Sequence, residues 1–332
     1  MCTRVRIQRR KIGNDVIQKL TRKRAKTDLS TKVGSLELRS PILTAAGTAG
    51  HGSELADFMD LSQLGAVVVK SLAAYEWEGN KPLRVHQTPS GMINSVGLQG
   101  PGVQRWLEEQ LPPLVDTGAA VVASIWGRSV EDYAAAAELL ANAPDEVIAV
   151  EVNISCPNTE SGNELFAHSV NLTSEVLTVT EACNRPRWAK LSPNVGPELV
   201  AIAEAAALAG AEAVTLVNTY FGLSIDVSTG RPHLGRGAGG VSGPAIKPLA
   251  VKAVADVRRE LPELPILGVG GISSAEDVVE YAMVGANAVQ VGTANFADPR
   301  ICAKILQALD RWCVANSLPR FRDLIGSADL DK

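Results

Sequence analysis

The chain has 332 residues, a formal net charge of −4, 46% hydrophobic residues and only 4% aromatics, a balance that excludes disordered and fibrous proteins and allows one large core of small side chains. Residues 1–26 hold ten Lys or Arg against Asp15 alone, so the remainder carries 22 basic and 35 acidic groups and repels nucleic acid. No apolar run approaches the ~18 residues of a membrane span, and the five scattered cysteines (Cys2, Cys156, Cys183, Cys302, Cys313) lack CxxC or metal-ligand spacing, so a cytoplasmic protein without a metal site is expected.

Residues 1–30 read as a basic, mobile arm without an apolar face, and residues 31–332 as a single domain. From about residue 33, short apolar, β-rich runs alternate with segments of helical periodicity. The runs are 41–47, 66–71, 121–127, 149–155, 187–192, 213–219, 265–271 and 288–294. Helical patterns at 130–142, 197–210, 245–260 and 275–285 lie between them, several closing on glycine. Eight such units predict an α/β fold, a (β/α)8 TIM barrel of parallel strands with crossover helices.

The polar residues fall at one end of the runs. Gly47, Lys70 and Ser71, Ser124, Asn153 and Ser155, Lys190 and Ser192, Asn218 and Thr219, Gly270 and Gly271, and Gly292 and Thr293 all stand at C-terminal ends. In a barrel these ends converge on the mouth, where the chemistry of this fold resides. Three connections are too long for a helix and a turn. Segments 72–100 and 220–245 suit extra hairpins over the mouth, and 156–170 suits a lid loop.

Glycines at 239, 240, 243, 268, 270, 271 and 292 let backbone N–H groups approach an anion, after strands seven and eight and before helix 245–260. They imply a phosphorylated ligand, whether a sugar phosphate, pyridoxal phosphate or FMN. Lys70 and Lys190 end otherwise apolar runs, and a lysine directed into a barrel mouth needs an anion or a developing negative charge. A Schiff-base lysine satisfies that need, and so does a flavin whose reduced ring is anionic. His51, His86, His168 and His233 lack metal spacing and read as loop residues, while Cys183, Cys302 and Cys313 read as structural thiols.

The segments NSVGLQGPG (94–102), NISCPN (153–158), KLSPN (190–194), VNTYFGLSIDVSTGRPHLGRGAGGVSGPAIKP (217–248), GVGGI (268–272) and VGTANF (291–296) together resemble the class 1 dihydroorotate dehydrogenases, over about residues 33–305. GVSGPAIKP and the long loop before it are similar to the B type. The resemblance implies an FMN-dependent oxidation of (S)-dihydroorotate to orotate in pyrimidine (UMP) biosynthesis. Electrons would leave through a partner subunit bearing FAD and an iron–sulfur cluster, in a homodimer or heterotetramer.

By the same resemblance Cys156 is the base that takes the C5 proton, and Lys70, Asn94, Ser95, Val96, Gly97, Leu98, Asn153, Asn218 and Thr219 surround the substrate. Ala46, Lys70, Ser71, Ser124, Asn153, Lys190, Val217, Gly243, Gly270, Gly271, Gly292 and Thr293 surround FMN, with Lys190 near N1 and O2 of its ring. Two departures stand out: Ala46 where the family commonly has serine, and Trp126 in place of a usually small residue, a change expected to reshape the mouth or an interface. Competing readings are a related dihydropyrimidine-type dehydrogenase, a flavin-free lyase or isomerase using Lys70 or Lys190, and a binding protein tethered by the basic arm.

Overall fold

A computed structural model describes residues 27–155 and 168–330. Most of the expected arm, the expected catalytic Cys156 and most of the expected lid therefore lie outside the described residues. Thr27 and Asp28 already belong to the packed body: the Asp28 N–H donates to the Pro319 carbonyl at 2.9 Å, and Phe321 N–H donates to the Asp28 carbonyl at 2.8 Å.

Eight parallel strands form the centre: β1 (Ile42–Thr44), β2 (Val67–Val68), β3 (Val121–Ile125), β4 (Val147–Asn153), β5 (Arg187–Lys190), β6 (Ala213–Leu216), β7 (Ile266–Val269) and β8 (Ala288–Val291). They are hydrogen-bonded in the order β1-β8-β7-β6-β5-β4-β3-β2, and a parallel bridge from Leu43 to Ala66 brings β2 back to β1. The barrel expected from the eight runs is thus present, with strands shorter than the runs because the polar ends lie just beyond the ladder. At the seam between β1 and β2 a side chain does ladder work. The Thr44 hydroxyl accepts from Val68 N–H at 3.0 Å and donates to the Val68 carbonyl at 3.3 Å, both buried.

Helices cover the outside because their apolar residues recur at helical spacing. In Val130–Leu140 the buried residues are Tyr133, Ala136, Ala137 and Leu140, and the Ser129 hydroxyl accepts from Asp132 N–H to start the helix. Ser274 and Asp277 form a reciprocal capping box before Ala275–Met283. That helix then sends the Tyr281 hydroxyl back to the Gly270 carbonyl at 2.7 Å, fixing the loop after β7.

The lower interior is apolar. Leu43, Val68, Val122, Ala149, Trp188, Ala213, Leu267 and Ala288 fill it, and a hairpin of Thr31–Val33 and Leu36–Leu38 plugs its base with Val33 and Leu38. Above the opposite end, both long connections form hairpins as expected, and the two join. Val85–Thr88, Gly91–Asn94, Gly239–Ser242 and Tyr220–Gly222 make one four-stranded antiparallel sheet.

Candidate active site

A cavity of about 480 Å³ opens between the strand ends and this covering sheet. Of the expected site residues, Ala46, Lys70, Ser71, Asn94, Ser95, Val96, Gly97, Leu98, Asn153, Lys190, Val217, Asn218, Thr219, Gly243, Gly270, Gly271, Gly292 and Thr293 all line it. Ser124 does not: it is wholly buried behind Ser71, its hydroxyl 2.8 Å from that of Ser71, because it sits one layer lower on β3. Trp126 also stays out of the cavity. It is buried beneath the 72–100 connection against Ala73, Tyr75, Trp77 and Leu98, edge-on to Trp77 at 6.1 Å between ring centroids. Leu98, packed against this cluster, lines the wall in a left-handed backbone conformation (φ 61°).

One wall is a continuous set of amides and hydroxyls. Asn153 Nδ2 donates to Ser71 Oγ at 3.2 Å, and Asn153 Oδ1 accepts from Ser155 Oγ at 2.7 Å and from Asn218 Nδ2 at 3.3 Å. The Asn218 amide also donates to Ser155 Oγ at 2.7 Å, while its oxygen receives Thr219 N–H at 2.9 Å. Tyr133, from the helix outside, donates its hydroxyl to the Asn153 carbonyl at 2.7 Å and so anchors the end of β4. From the cover, Asn94 Nδ2 donates to the Gly240 carbonyl at 3.2 Å. Amides held in this way present fixed donor and acceptor positions to a ligand.

A second wall is backbone. Gly243 (φ 98°) and Gly271 (φ 69°) adopt conformations that disfavour any side chain. A Cβ on Gly271 would lie 3.0 Å from the Gly243 carbonyl oxygen and 2.7 Å from Lys247 Cβ, and one on Gly243 would lie 2.7 Å from Gly91 Cα. Three loops therefore meet here without side chains between them. Thr293 closes the group, donating to Ser242 Oγ at 2.8 Å. Behind it Lys247 Nζ bridges Asp277 (2.8 Å) and Glu280 (2.7 Å), tying the helices Lys247–Glu260 and Ala275–Met283 together beside the shelf. A phosphate fits such a shelf, since glycine backbone and the Ser242 and Thr293 hydroxyls bound it.

The charged residues lining the cavity, Lys70, Lys190 and Arg236, are all cationic. Among the described residues no carboxylate lines it, so a chain of net negative charge holds a positive pocket. Burial, and then the nearby Arg84 guanidinium, push the Lys70 ammonium below its ordinary range. Among the described residues its Nζ has no hydrogen-bond or ion-pair partner. Lys190 is different: only 4% exposed, it reaches down to the wholly buried Glu151 at 3.2 Å.

Sequence reasoning missed Glu151, and with it Thr215 and Gln290. Each lies in mid-strand, two residues before a mouth residue (Asn153, Val217, Gly292), and that shared inward parity was the available signal. It also missed Asn194, which donates to the Thr219 carbonyl at 3.0 Å, and Arg236, which donates to Asn80 Oδ1 at 3.1 Å across the rim.

A family model described as dihydroorotate dehydrogenase matches residues 28–312. The chain is 41% identical over 303 residues to the dihydroorotate dehydrogenase B (NAD(+)) catalytic subunit of Geotalea uraniireducens (strain Rf4), covering 91% of this chain and 98% of that one. It is 45% identical over 282 residues to the protein of the same name from Anoxybacillus flavithermus (strain DSM 21510 / WK1), covering 85% and 89%. A third of that name, from Bacteroides thetaiotaomicron, is 38% identical over 304 residues, covering 91% and 99%.

Proposed function

The chain belongs to the dihydroorotate dehydrogenase family, and from that premise we propose that it is a cytoplasmic oxidoreductase that converts (S)-dihydroorotate to orotate with FMN held in the cavity. The observation that supports this most is the lining itself: among the described residues its charged groups are cationic, three asparagine amides face it, and a glycine-rich shelf bounds it. A substrate carrying a carboxylate and an imide ring suits the first part, and a phosphate suits the second.

FMN held in the cavity would supply the acceptor for the hydride that leaves C6 of the substrate. The protein's share is binding, orientation and proton handling. Gly243, Gly270, Gly271, Gly292 and Thr293 would hold the phosphate; Ala46, Ser71, Asn153, Lys190 and Val217 would border the ring system, with Ser124 acting only through Ser71. Asn94, Asn153, Asn218 and Thr219 would fix the pyrimidine, and Ser95, Val96, Gly97 and Leu98 would close over it. Lys70, which lacks a counter-ion among the described residues, would meet the substrate carboxylate. Cys156, placed by the NISCPN motif at the end of the fourth strand run, would take the C5 proton, which the adjacent carbonyl acidifies; a thiolate is the form able to do so.

Electrons would then pass to a separate subunit carrying FAD and an iron–sulfur cluster, within a homodimer or a heterotetramer. The wording of the relatives' names, a catalytic subunit of an NAD(+) enzyme, supports the existence of a partner subunit.

The test is anaerobic. The purified chain should show flavin absorbance that dihydroorotate bleaches, and Cys156→Ser should keep the flavin yet lose most of the bleaching rate near neutral pH. Bleaching by dihydrouracil but not by dihydroorotate would move the chain to a dihydropyrimidine-type enzyme, and absence of flavin would favour a lyase or isomerase. Rapid NAD reduction by the chain alone would remove the need for a partner.

A further inference from the structure

Beneath the cavity floor four side chains from four strands meet. Glu151 of β4 is wholly buried, and its carboxylate accepts from Lys190 Nζ of β5 at 3.2 Å, Thr215 Oγ1 of β6 at 3.0 Å and Gln290 Nε2 of β8 at 2.5 Å. Lys190 Nζ also lies 3.5 Å from Gln290 Oε1. An ammonium has three N–H groups. Glu151 and Gln290 engage two from below, and the cavity that Lys190 lines is left for the third.

We propose that Glu151 is a positioning residue whose carboxylate keeps the proton on Lys190 Nζ and aims one N–H of that ammonium into the cavity. A lysine withdrawn from water holds its charge only beside an anion, and charge is what lets Lys190 stabilise electron density arriving above it. Among the described residues the remaining charged groups lining the cavity, Lys70 from the end of β2 and Arg236 from the 220–245 connection, are cations and cannot take that part. Glu151 is the sole acidic group bonded to Lys190 among the described residues. Thr215 and Gln290 leave its carboxylate one orientation. This deepens the flavin reading, on which it rests only for where the charge is felt.

The experiment uses Glu151→Gln, close in shape and without the charge, and Glu151→Asp, which keeps it. In flavin-loaded protein the potential of the bound flavin is measured from pH 6 to 9. The Gln variant should match the wild type at pH 6 and fall below it with rising pH, reaching about a tenfold weaker stabilisation of the reduced form, about 30 mV for a two-electron couple. The Asp variant should stay with the wild type. In flavin-free protein the Lys190 Nζ nitrogen-15 resonance, assigned with Lys190→Met, should remain that of an ammonium throughout in the wild type and titrate in Glu151→Gln. If the chain holds no flavin, the function proposed above fails while this resonance still decides the present inference. Should Glu151→Gln be too unstable to study, its melting is compared with that of Glu151→Gln/Lys190→Met: recovery in the double variant supports an unpaired Lys190 charge as the damage. A potential difference that does not vary with pH, an ammonium resonance that persists to pH 9 in the Gln variant, or a double variant no more stable than the single would overturn the proposal.

Discussion

The same strands build two unlike regions two residues apart. On β4 the inward residues run Ala149, Glu151, Asn153; on β5, Trp188 then Lys190; on β8, Ala288 then Gln290, with Gly292 just beyond. A step of two residues along a strand is about 6.6 Å. Over two such steps the interior changes from an apolar plug of Trp188, Leu43 and Leu267 to a buried ion pair, and then to a polar cavity wall. The lower region obtains stability from packing. The upper region gives stability up, since Lys70 stands there as a desolvated cation with no partner among the described residues. Fold and chemistry are therefore separated by height in the barrel rather than by sequence segment.

Substitutions at different heights should separate the two regions. Trp188→Ala, in the plug, should have the largest effect, a loss of about 3–5 kcal/mol of stability from a cavity that the rigid strands cannot close. Urea unfolding measures it, and whatever remains folded should turn over at nearly the normal rate. A small stability loss with a large loss of rate would erase the distinction. Lys70→Met should do the reverse. Activity with dihydroorotate should fall by about 10²–10³-fold, the scale of one aimed charge or donor in a water-poor site, while the melting temperature holds or rises. A drop in melting temperature would show that Lys70 contributes to the fold.

Thr44→Val tests the seam. Without the hydroxyl, the N–H and carbonyl of Val68 lose a partner that bridges β1 and β2, at a cost of about 1–2 kcal/mol. Amide exchange should quicken at the β1–β2 seam more than at β4–β5; uniform quickening would argue against a local weak point.

The smallest effect concerns pH. Burial, and then the charge of Lys70, push His51 down to about 4 from an ordinary 6.5. Between those values the unfolded chain takes up a proton that the folded chain refuses. The stability contributed by neutral His51 is thus fully present above pH 6.5 and drains away as pH falls towards 4. His51→Gln should flatten the fall in unfolding free energy between pH 6.5 and 4.5, and an unchanged slope would clear His51 of any part in it.

How much of this was legible in the sequence follows from the kind of signal each part leaves. The eight strands and their mouth residues were readable because β-branched runs ended repeatedly in Gly, Asn, Lys or Ser. The hairpins over the mouth were readable as polar, turn-rich stretches. Their union was not, since pairing of Asn94 with Gly240 depends on where the barrel brings two distant segments. Glu151, Thr215 and Gln290 were missed because a single polar residue inside an apolar run carries no local sign of its partners. Ser124 was misplaced by one layer for a related reason: residue type marks polarity, while depth is set by how strands are staggered around the closed sheet.

The covering sheet has one more consequence, for the order in which the molecule is made. Its central pairing joins residues 146 positions apart, Asn94 and Gly240. Such a contact forms only after the intervening chain has been synthesised and compacted, because closing a long loop costs entropy that the barrel strands must first offset. During synthesis Gly91–Asn94 emerges early and waits through β3 to β6 for its neighbour Gly239–Ser242. The roof over the cavity is therefore among the last parts to assemble, and a nascent chain can bind no ligand under it until the barrel is nearly complete.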